Sequence, residues 1–116
     1  MSDLFKIAVD EQEGSIARLS LSGRMDATAA QELREQCLKL ADQGCRTLTL
    51  DLKDIPFVAS SGLGTFLLLN ETFKTNSGQL VLASVPRNVM DVLKLMNIDR
   101  FFEFEDVTQE QPVLAT

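Results

Sequence analysis

The chain has 116 residues, of which 45% are hydrophobic, and a formal net charge of −6 from 11 basic and 17 acidic side chains. Every lysine and arginine stands alone in the sequence, so it lacks the concentrated positive charge that a nucleic-acid or anionic membrane surface requires. This length predicts one domain over residues 1–116, with a core over about residues 4–107. Residues 108–116 are expected to form a frayed tail.

Other classes of protein are disfavoured by what the sequence lacks. The first residues have neither the basic start nor the apolar core of a signal peptide, and no apolar run has the length needed to insert into a membrane. Two cysteines, Cys37 and Cys45, are too few for a disulfide framework, and without histidine or a dense carboxylate set no zinc site is expected. The lack of histidine also removes the usual base for a serine nucleophile. We therefore expect a cytoplasmic protein that is not an enzyme and uses no metal or cofactor.

The first half of the chain predicts a β-hairpin and a helix. Residues 5–10 alternate apolar and polar side chains, residues 11–15 form a turn, and residues 16–23 alternate again. Asp26 is expected to cap a helix that ends at Gly44. The apolar residues of this helix recur at helical spacing, at Leu33, Cys37, Leu40 and Ala41. The position of Cys37 on this stripe predicts a buried free thiol.

The second half alternates strands with helices. The predicted elements are a buried strand over 47–52, a helix after Ser61 that runs to about Asn76, a strand over 79–83, a helix with Pro86 in its first turn, and a short strand over 101–104. The third helix has its apolar stripe at Val89, Val92, Leu93 and Met96. The order β-β-α-β-α-β-α-β predicts an α/β fold: a mixed sheet whose later strands are parallel, with helices packed mainly on one face.

The segment 57–64 carries the clearest functional signal. It places Ser60 and Ser61 directly before Gly62, at the junction between a buried strand and an apolar helix. The free N–H groups and the dipole of a helix N-terminus favour negative charge, so this position suits a phosphate, on a ligand or on the serine itself. Serine is also among the commonest N-cap residues. We expect Ser60 to cap the helix and Ser61 to occupy its first position with the hydroxyl exposed.

Several segments, in order along the chain, resemble the STAS domains of bacterial anti-sigma factor antagonists. They are residues 21–26, which resemble the family's L-x-G-x-[hydrophobic]-D entry to the first helix, residues 48–52, which resemble its central strand, residues 58–64, which resemble its D-S-S-G-L-G switch, and residues 80–83 and 92–96, which resemble its later strand and helix. The likeness extends over about residues 4–107. It implies a single STAS-type domain.

The resemblance also implies a role. Such proteins bind an anti-sigma factor, often itself a serine kinase, and so release a sigma factor for transcription. The kinase phosphorylates the serine directly before the glycine, here Ser61 with Ser60 as second choice, which breaks the complex, and a phosphatase of the PP2C type restores it. The antagonist is a substrate and a binding module, expected as a monomer. The partner-binding residues carried over are Arg24, Met25, Asp26, Ala59, Ser60, Ser61, Gly62 and Leu63. Apolar residues such as Met25 and Leu63 are more often core residues, but they flank the switch and would add partner surface where exposed.

One position departs from the family pattern. An aspartate usually precedes the two serines where this chain has Ala59, whereas the acidic position at the first helix is kept as Asp26. In the family both acids help to present the serine to the kinase. Three interpretations follow. The kinase recognises Ser61 without that acid, the protein binds its partner constitutively, or it is a non-phosphorylated STAS interaction subunit of a sensory scaffold or a lipid-transport complex.

Overall fold

The computed structural model describes residues 4–105, so the end of the predicted core and the predicted tail at 108–116 lie outside the described residues. The elements in chain order are β1 Lys6–Glu13, β2 Ile16–Ser22, α1 Ala27–Asp42, β3 Thr47–Asp54, α2 Ser60–Thr75, β4 Gln79–Ala83, α3 Arg87–Leu95, a 3-10 helix Asp99–Phe101 and β5 Glu103–Glu105. The predicted order of strands and helices is confirmed.

The five strands form one mixed sheet in the order β1-β2-β3-β4-β5. β1 and β2 pair antiparallel as a hairpin, and each later pair of neighbours is parallel. A parallel pair needs a crossover connection, and α1, α2 and α3 lie in the three crossovers. The carboxyl ends of β2, β3 and β4 therefore share one edge of the sheet, where the chain turns into each helix.

One face of the sheet carries the core. Successive strand residues point to opposite faces, and the buried set of β2, β3 and β4 on this face is Ala17, Leu19, Leu21, Leu48, Leu50, Leu52, Leu80 and Leu82. These residues form one cluster with buried side chains of all three helices, among them Leu33, Phe66, Phe73 and Leu93. The predicted α/β class, with helices on one face, is confirmed. Cys37 is a buried free thiol as predicted, and burial raises its pKa to about 12.

The opposite face carries charge around Arg18. The guanidinium lies 3.1 Å from Oε1 of Glu105 and 3.6 Å from Oδ2 of Asp51. Burial alone would lower the pKa of Arg18, but the hydrogen bond to Glu105 and the charges of both carboxylates raise it above its ordinary value. Side-chain contacts on this face therefore add to the backbone pairing that holds the short edge strand β5.

The hairpin is tighter than predicted. β1 continues through Glu13, and the turn consists of Gly14 and Ser15 alone, so the expected turn over residues 11–15 is wrong. Gly14 has φ +62°, which glycine adopts at little cost. This conformation lets the chain reverse within two residues, and it brings Glu11–Glu13 into the strand.

The C-terminal elements also differ in their bounds. Pro86 is the residue before α3 and not part of its first turn. Residues 99–101 form the 3-10 helix, whose last carbonyl, on Phe101, accepts a hydrogen bond of 2.8 Å from Nδ2 of Asn70. The last strand therefore begins at Glu103, not at Phe101 as predicted.

Candidate functional site

Two connections meet at the carboxyl edge of the sheet and position the predicted site. The N–H of Met25 donates to the carbonyl of Phe57 over 3.0 Å, and the N–H of Ala59 donates to the carbonyl of Met25 over 2.9 Å. Met25 and Val58 form a parallel bridge beyond the ends of β2 and β3. The predicted residues 24–26 and 59–63, far apart in sequence, are therefore adjacent in the fold.

Ser60 and Ser61 are the first and second residues of α2, and both are exposed. The N-cap residue is Ala59, which has extended backbone and no side-chain cap. The predictions that Ser60 caps the helix and that Ser61 is its first residue are therefore wrong. The first helical bonds run from the N–H groups of Gly62 and Leu63 to the carbonyl of Ala59, over 2.9 and 3.1 Å. Within residues 4–105 neither serine hydroxyl has a hydrogen-bond partner. The expected exposure of Ser61 is confirmed, and both hydroxyls are accessible to another molecule.

Asp26 and Arg24 stand beside the serines with different roles. Asp26 is the N-cap of α1, as predicted, and its Oδ1 accepts a hydrogen bond of 2.9 Å from the N–H of Ala29. The guanidinium of Arg24 lies 4.3 Å from the centre of the Phe57 ring, within cation–π distance. No local sequence pattern indicates this contact, because it depends on the pairing of the two connections. Both charged side chains are exposed next to α2.

Three of the predicted partner-binding residues are buried. Met25 is 0% and Leu63 is 4% exposed, so both are core residues and neither adds apolar surface for a partner. Gly62 is buried as well, and a Cβ there would lie 2.6 Å from Cγ of Met25 and 2.7 Å from Cγ1 of Val58. These residues fill the space beneath the serines. The chain therefore uses them to fix the backbone of the site.

A groove between α1 and α2 opens beside Ser61. It has a volume of about 310 Å³ and is lined by Ala27, Ala30, Gln31, Arg34, Ser61, Gly64, Thr65 and Leu68. Gly64 is exposed, and a Cβ built there meets nothing within 4 Å. Because a helical glycine costs about 1 kcal/mol relative to alanine, and no contact among the described residues requires it, Gly64 is suited to close approach by another molecule.

An apolar cleft lies on the other side of the first turn of α2. It has a volume of about 150 Å³ and is lined by Phe57, Val58, Leu63, Asn88, Val89 and Val92. Nδ2 of Asn88 donates to the carbonyl of Pro56 over 2.8 Å and ties α3 to this edge. Val92, which lines the cleft, is 37% exposed, and Leu95 and Met96, which lie beyond it, are 85% and 53% exposed. The predicted stripe of α3 is thus only partly in the core. Leu95 is an apolar residue outside that stripe, and its position in the sequence could have indicated an exposed apolar surface on α3.

The described residues offer neither a metal centre nor a membrane span. Among residues 4–105, no three histidine, cysteine, aspartate or glutamate side chains are grouped so that they could hold a metal ion. None of the described helices combines the length and the apolar character that a membrane crossing needs.

Comparison with known sequences connects these features to a family. The family model for the STAS domain matches residues 6–111. The Anti-sigma-B factor antagonist of Bacillus subtilis is 28% identical over 92 residues, which are 79% of this chain and 83% of that protein. A STAS-domain containing protein of Pseudomonas aeruginosa is 27% identical over 96 residues, 83% of this chain and 94% of that protein.

The same likeness holds for solved structures. The anti-sigma factor antagonist SpoIIAA in its unphosphorylated form gives a TM-score of 0.77 at 19% identity, with 90% of each chain covered. The phosphorylated form of the Bacillus protein SpoIIAA gives 0.72 at 18% identity, with 90% of this chain and 94% of that chain covered. At these identities the structures establish the fold, and the sequence match establishes the relationship. The chain belongs to the STAS domain family.

Proposed function

We propose that this protein is an anti-sigma factor antagonist, which sequesters an anti-sigma factor that is also a serine kinase and releases it when Ser61 is phosphorylated. The observation that carries the proposal is the pair of exposed hydroxyls without partners at the N-terminus of α2, beside Asp26 and Arg24. The relatives that support it are the Bacillus subtilis antagonist and SpoIIAA, whose names state that they are anti-sigma factor antagonists. In this proposal residues 1–116 act as one monomeric binding domain in the cytoplasm.

In this proposal the partner kinase supplies the catalytic groups for phosphorylation of Ser61. The chain contains no histidine, and a serine hydroxyl without an adjacent base is a weak nucleophile. The oxygen of Ser61 attacks the γ-phosphoryl group of ATP bound to the kinase, the bond to the β-phosphate oxygen breaks, ADP leaves, and the hydroxyl proton passes to a base of the kinase. A phosphatase of the PP2C type adds water across the new ester and returns inorganic phosphate and the free hydroxyl.

Ser61 is the preferred site because of where its side chain lies. Ser61 lines the groove between α1 and α2, and Ser60 is not among the residues that line it. A phosphate on Ser61 therefore changes a surface formed by both helices. A phosphate on Ser60 would stand at the tip of α2 outside this groove.

The proposed switch acts by local exclusion and not by refolding. A phosphoserine carries about −1.5 to −2 charges at pH 7 and three acceptor oxygens, and a helix N-terminus tolerates that charge. The backbone hydrogen bonds of Met25 hold the connection on the N-terminal side of the serines, and the fold resembles both forms of SpoIIAA. A partner packed on Ser61 would meet added bulk and unpaired charge. Amide NMR signals should then change only around the start of α2, and changes throughout the sheet would contradict local exclusion.

The alanine in place of the family aspartate is compatible with this proposal. The N–H of Ala59 is bound by the carbonyl of Met25, and its own carbonyl accepts from Gly62 and Leu63. Backbone contacts alone therefore hold the serines at the surface. This favours the interpretation in which a kinase recognises Ser61 without an acidic neighbour.

The first test is phosphopeptide mapping of the protein isolated from its own cells across growth and stress conditions. We expect a phosphate on Ser61 whose occupancy rises and falls with the conditions. A protein without phosphate under every condition would contradict the switch and leave a constitutive binding module.

Substitutions test whether the phosphate site controls binding. Ser61→Asp should weaken binding to the co-purifying anti-sigma factor by at least about fivefold, or about 1 kcal/mol, and Ser61→Ala should bind normally. Thr75→Asp, which places the same charge on an exposed hydroxyl position at the far end of α2, is the matched control. Equal affinities for both aspartate variants would contradict the proposal.

The apolar cleft favours a second candidate function, that of a non-phosphorylated interaction subunit of a sensory scaffold or a lipid-transport complex. The exposed side chains of Val92, Leu95 and Met96 continue the cleft away from Ser61. A partner bound there would co-purify stably with the chain. Its affinity should fall with Leu95→Ala and should not change with Ser61→Asp. Loss of binding with Ser61→Asp and not with Leu95→Ala would reject this candidate.

A further inference from the structure

Besides Ser61, the groove between α1 and α2 contains two polar side chains without a partner. Arg34 is exposed, and the ion pairs among residues 4–105 are all made by Arg18. Thr65 is only 8% exposed, and its side chain lines the groove without a hydrogen bond to any residue of the described range. Among the described residues, the buried side-chain oxygen or nitrogen that lacks a partner is Oδ1 of Asn70, so the unpaired hydroxyl of Thr65 is accessible from the groove. A polar group that enters the groove is therefore expected to meet both side chains.

The geometry of the two helices directs these groups toward Ser61. α1 and α2 begin side by side, because backbone pairing at Met25 joins the connections that lead into them. Ser61 and Thr65 are four residues apart and share one face of α2. Arg34 lies about 10 Å along α1 from Ala27, at 1.5 Å per residue. Long helical side chains lean toward the N-terminus, which brings the guanidinium back toward the serine.

We propose that this groove is a phosphoryl-binding site that receives the phosphate on Ser61, with the Arg34 guanidinium and the Thr65 hydroxyl as its donors. The proposal rests on the proposed modification of Ser61 and identifies what holds the phosphate afterwards. Hydrogen bonds between a guanidinium and a phosphate are charge-assisted and about twice as strong as neutral ones. The open space above Gly64 leaves room for the group. A phosphate in this position covers the surface that a partner would approach most closely.

The other charges near the groove belong to α1 and to the connection that leads into it. Glu32 and Glu35 of α1 line a different cleft together with Lys39, and Oε2 of Glu35 accepts a hydrogen bond of 3.3 Å from Nε2 of Gln31, which lines the groove. The carboxylate of Asp26 is engaged as the cap of α1, and Arg24, which precedes it, adds a positive charge at the same edge. The first charged residues of α2 are Glu71 and Lys74, almost three turns beyond Ser61. Arg34 is therefore the one cation among the residues that line this groove.

The test uses the full chain with phosphoserine genetically encoded at position 61, so that it depends on no kinase. The second ionisation of the phosphate is followed by ³¹P NMR as pH is varied. Arg34→Gln should raise the midpoint by about 0.3–0.6 pH units, the effect of one charge roughly 5 Å away in a solvated, partly screened site. Lys39→Gln removes the same charge from another face of α1 and should move the midpoint by less than ~0.1 unit. Amide NMR spectra establish that each variant is folded.

Two further variants separate a specific site from general attraction. Arg34→Lys should keep part of the shift, and Thr65→Val should raise the midpoint because the hydroxyl no longer donates to the dianion. Equal midpoints for Arg34→Gln and Lys39→Gln would overturn the proposal, as would an unchanged midpoint in Thr65→Val. Neither result would affect the proposed function, since the phosphate would still exclude a partner. Failure of the proposed function appears instead as absence of phosphate in cells or as normal partner binding by the phosphorylated chain.

Discussion

Gly62 and Gly64, two residues apart near the start of α2, should respond to the same substitution in opposite directions. A Cβ at Gly64 meets nothing within 4 Å, so Gly64→Ala should stabilise the fold by about 0.5–1 kcal/mol through helix propensity alone. A Cβ at Gly62 would lie 2.6 Å from Met25 and 2.7 Å from Val58. Overpacking of a core costs about 1–3 kcal/mol, which exceeds the gain in propensity. Gly62→Ala should therefore destabilise by about 1 kcal/mol.

Urea and thermal denaturation of the two variants would measure these free energies. For a chain of this size, 1 kcal/mol corresponds to about 4–8 °C in Tm, so the two midpoints should lie clearly on either side of the unmodified protein. Two shifts of the same sign would refute the reasoning from packing. Gly64→Ala also separates stability from binding, because it should weaken partner binding while it stabilises the fold. Unchanged affinity would show that the partner does not approach the backbone at Gly64.

Three other substitutions or reagents test individual contacts. Ala59→Asp should stabilise the chain by about 1 kcal/mol, since its carboxylate would accept hydrogen bonds from the free N–H groups of α2. The same variant should be phosphorylated faster at Ser61. Urea midpoints measure the first effect and kinase rates the second. Asp26→Ala removes the hydrogen bond from the N–H of Ala29 and should lower the free energy of unfolding, measured by urea denaturation, by about 1 kcal/mol. Asp26→Asn should retain most of the stability. Burial raises the pKa of Cys37 to about 12, so its neutral form stabilises the fold at neutral pH and this contribution declines as pH rises toward that value. Iodoacetamide at about pH 8 should leave Cys37 unmodified in the folded chain and alkylate it in concentrated urea; equal rates would contradict its burial.

The framework of the fold could be predicted because its signals are local. Alternation in β2 predicts which residues face the core, and the structure buries Leu19 and Leu21 on one side with Arg18 on the other. Asp26 caps α1 as predicted, and Gly44 follows its end with φ +99°. Each of these features depends on a few neighbouring residues. Local propensity and tertiary packing agree at these positions.

The details of the site could not be predicted, because they depend on contacts between distant segments. Met25 and Leu63 could be expected in the core from their residue types, but the pairing of Met25 with Val58, which sets the two connections side by side, is revealed by no local pattern. The same pairing holds Ala59 as the N-cap, so Ser60 is displaced into the helix despite the strong preference of serine for the cap. N-cap propensity favours Ser60, but the tertiary contacts of the connection make Ala59 the N-cap.

The first turn of α2 separates two surfaces of different chemistry. On one side is the groove with Arg34 and Thr65, and on the other is the apolar cleft below Phe57. A partner that spans this turn contacts both, but a phosphate on Ser61 alters only the groove. Because backbone hydrogen bonds on both sides of Met25 hold the connection, the phosphate has no flexible segment to rearrange. The strength of the proposed switch is therefore set by how much of the partner's contact lies on the polar side, and Ser61→Asp and Leu95→Ala measure the two contributions separately.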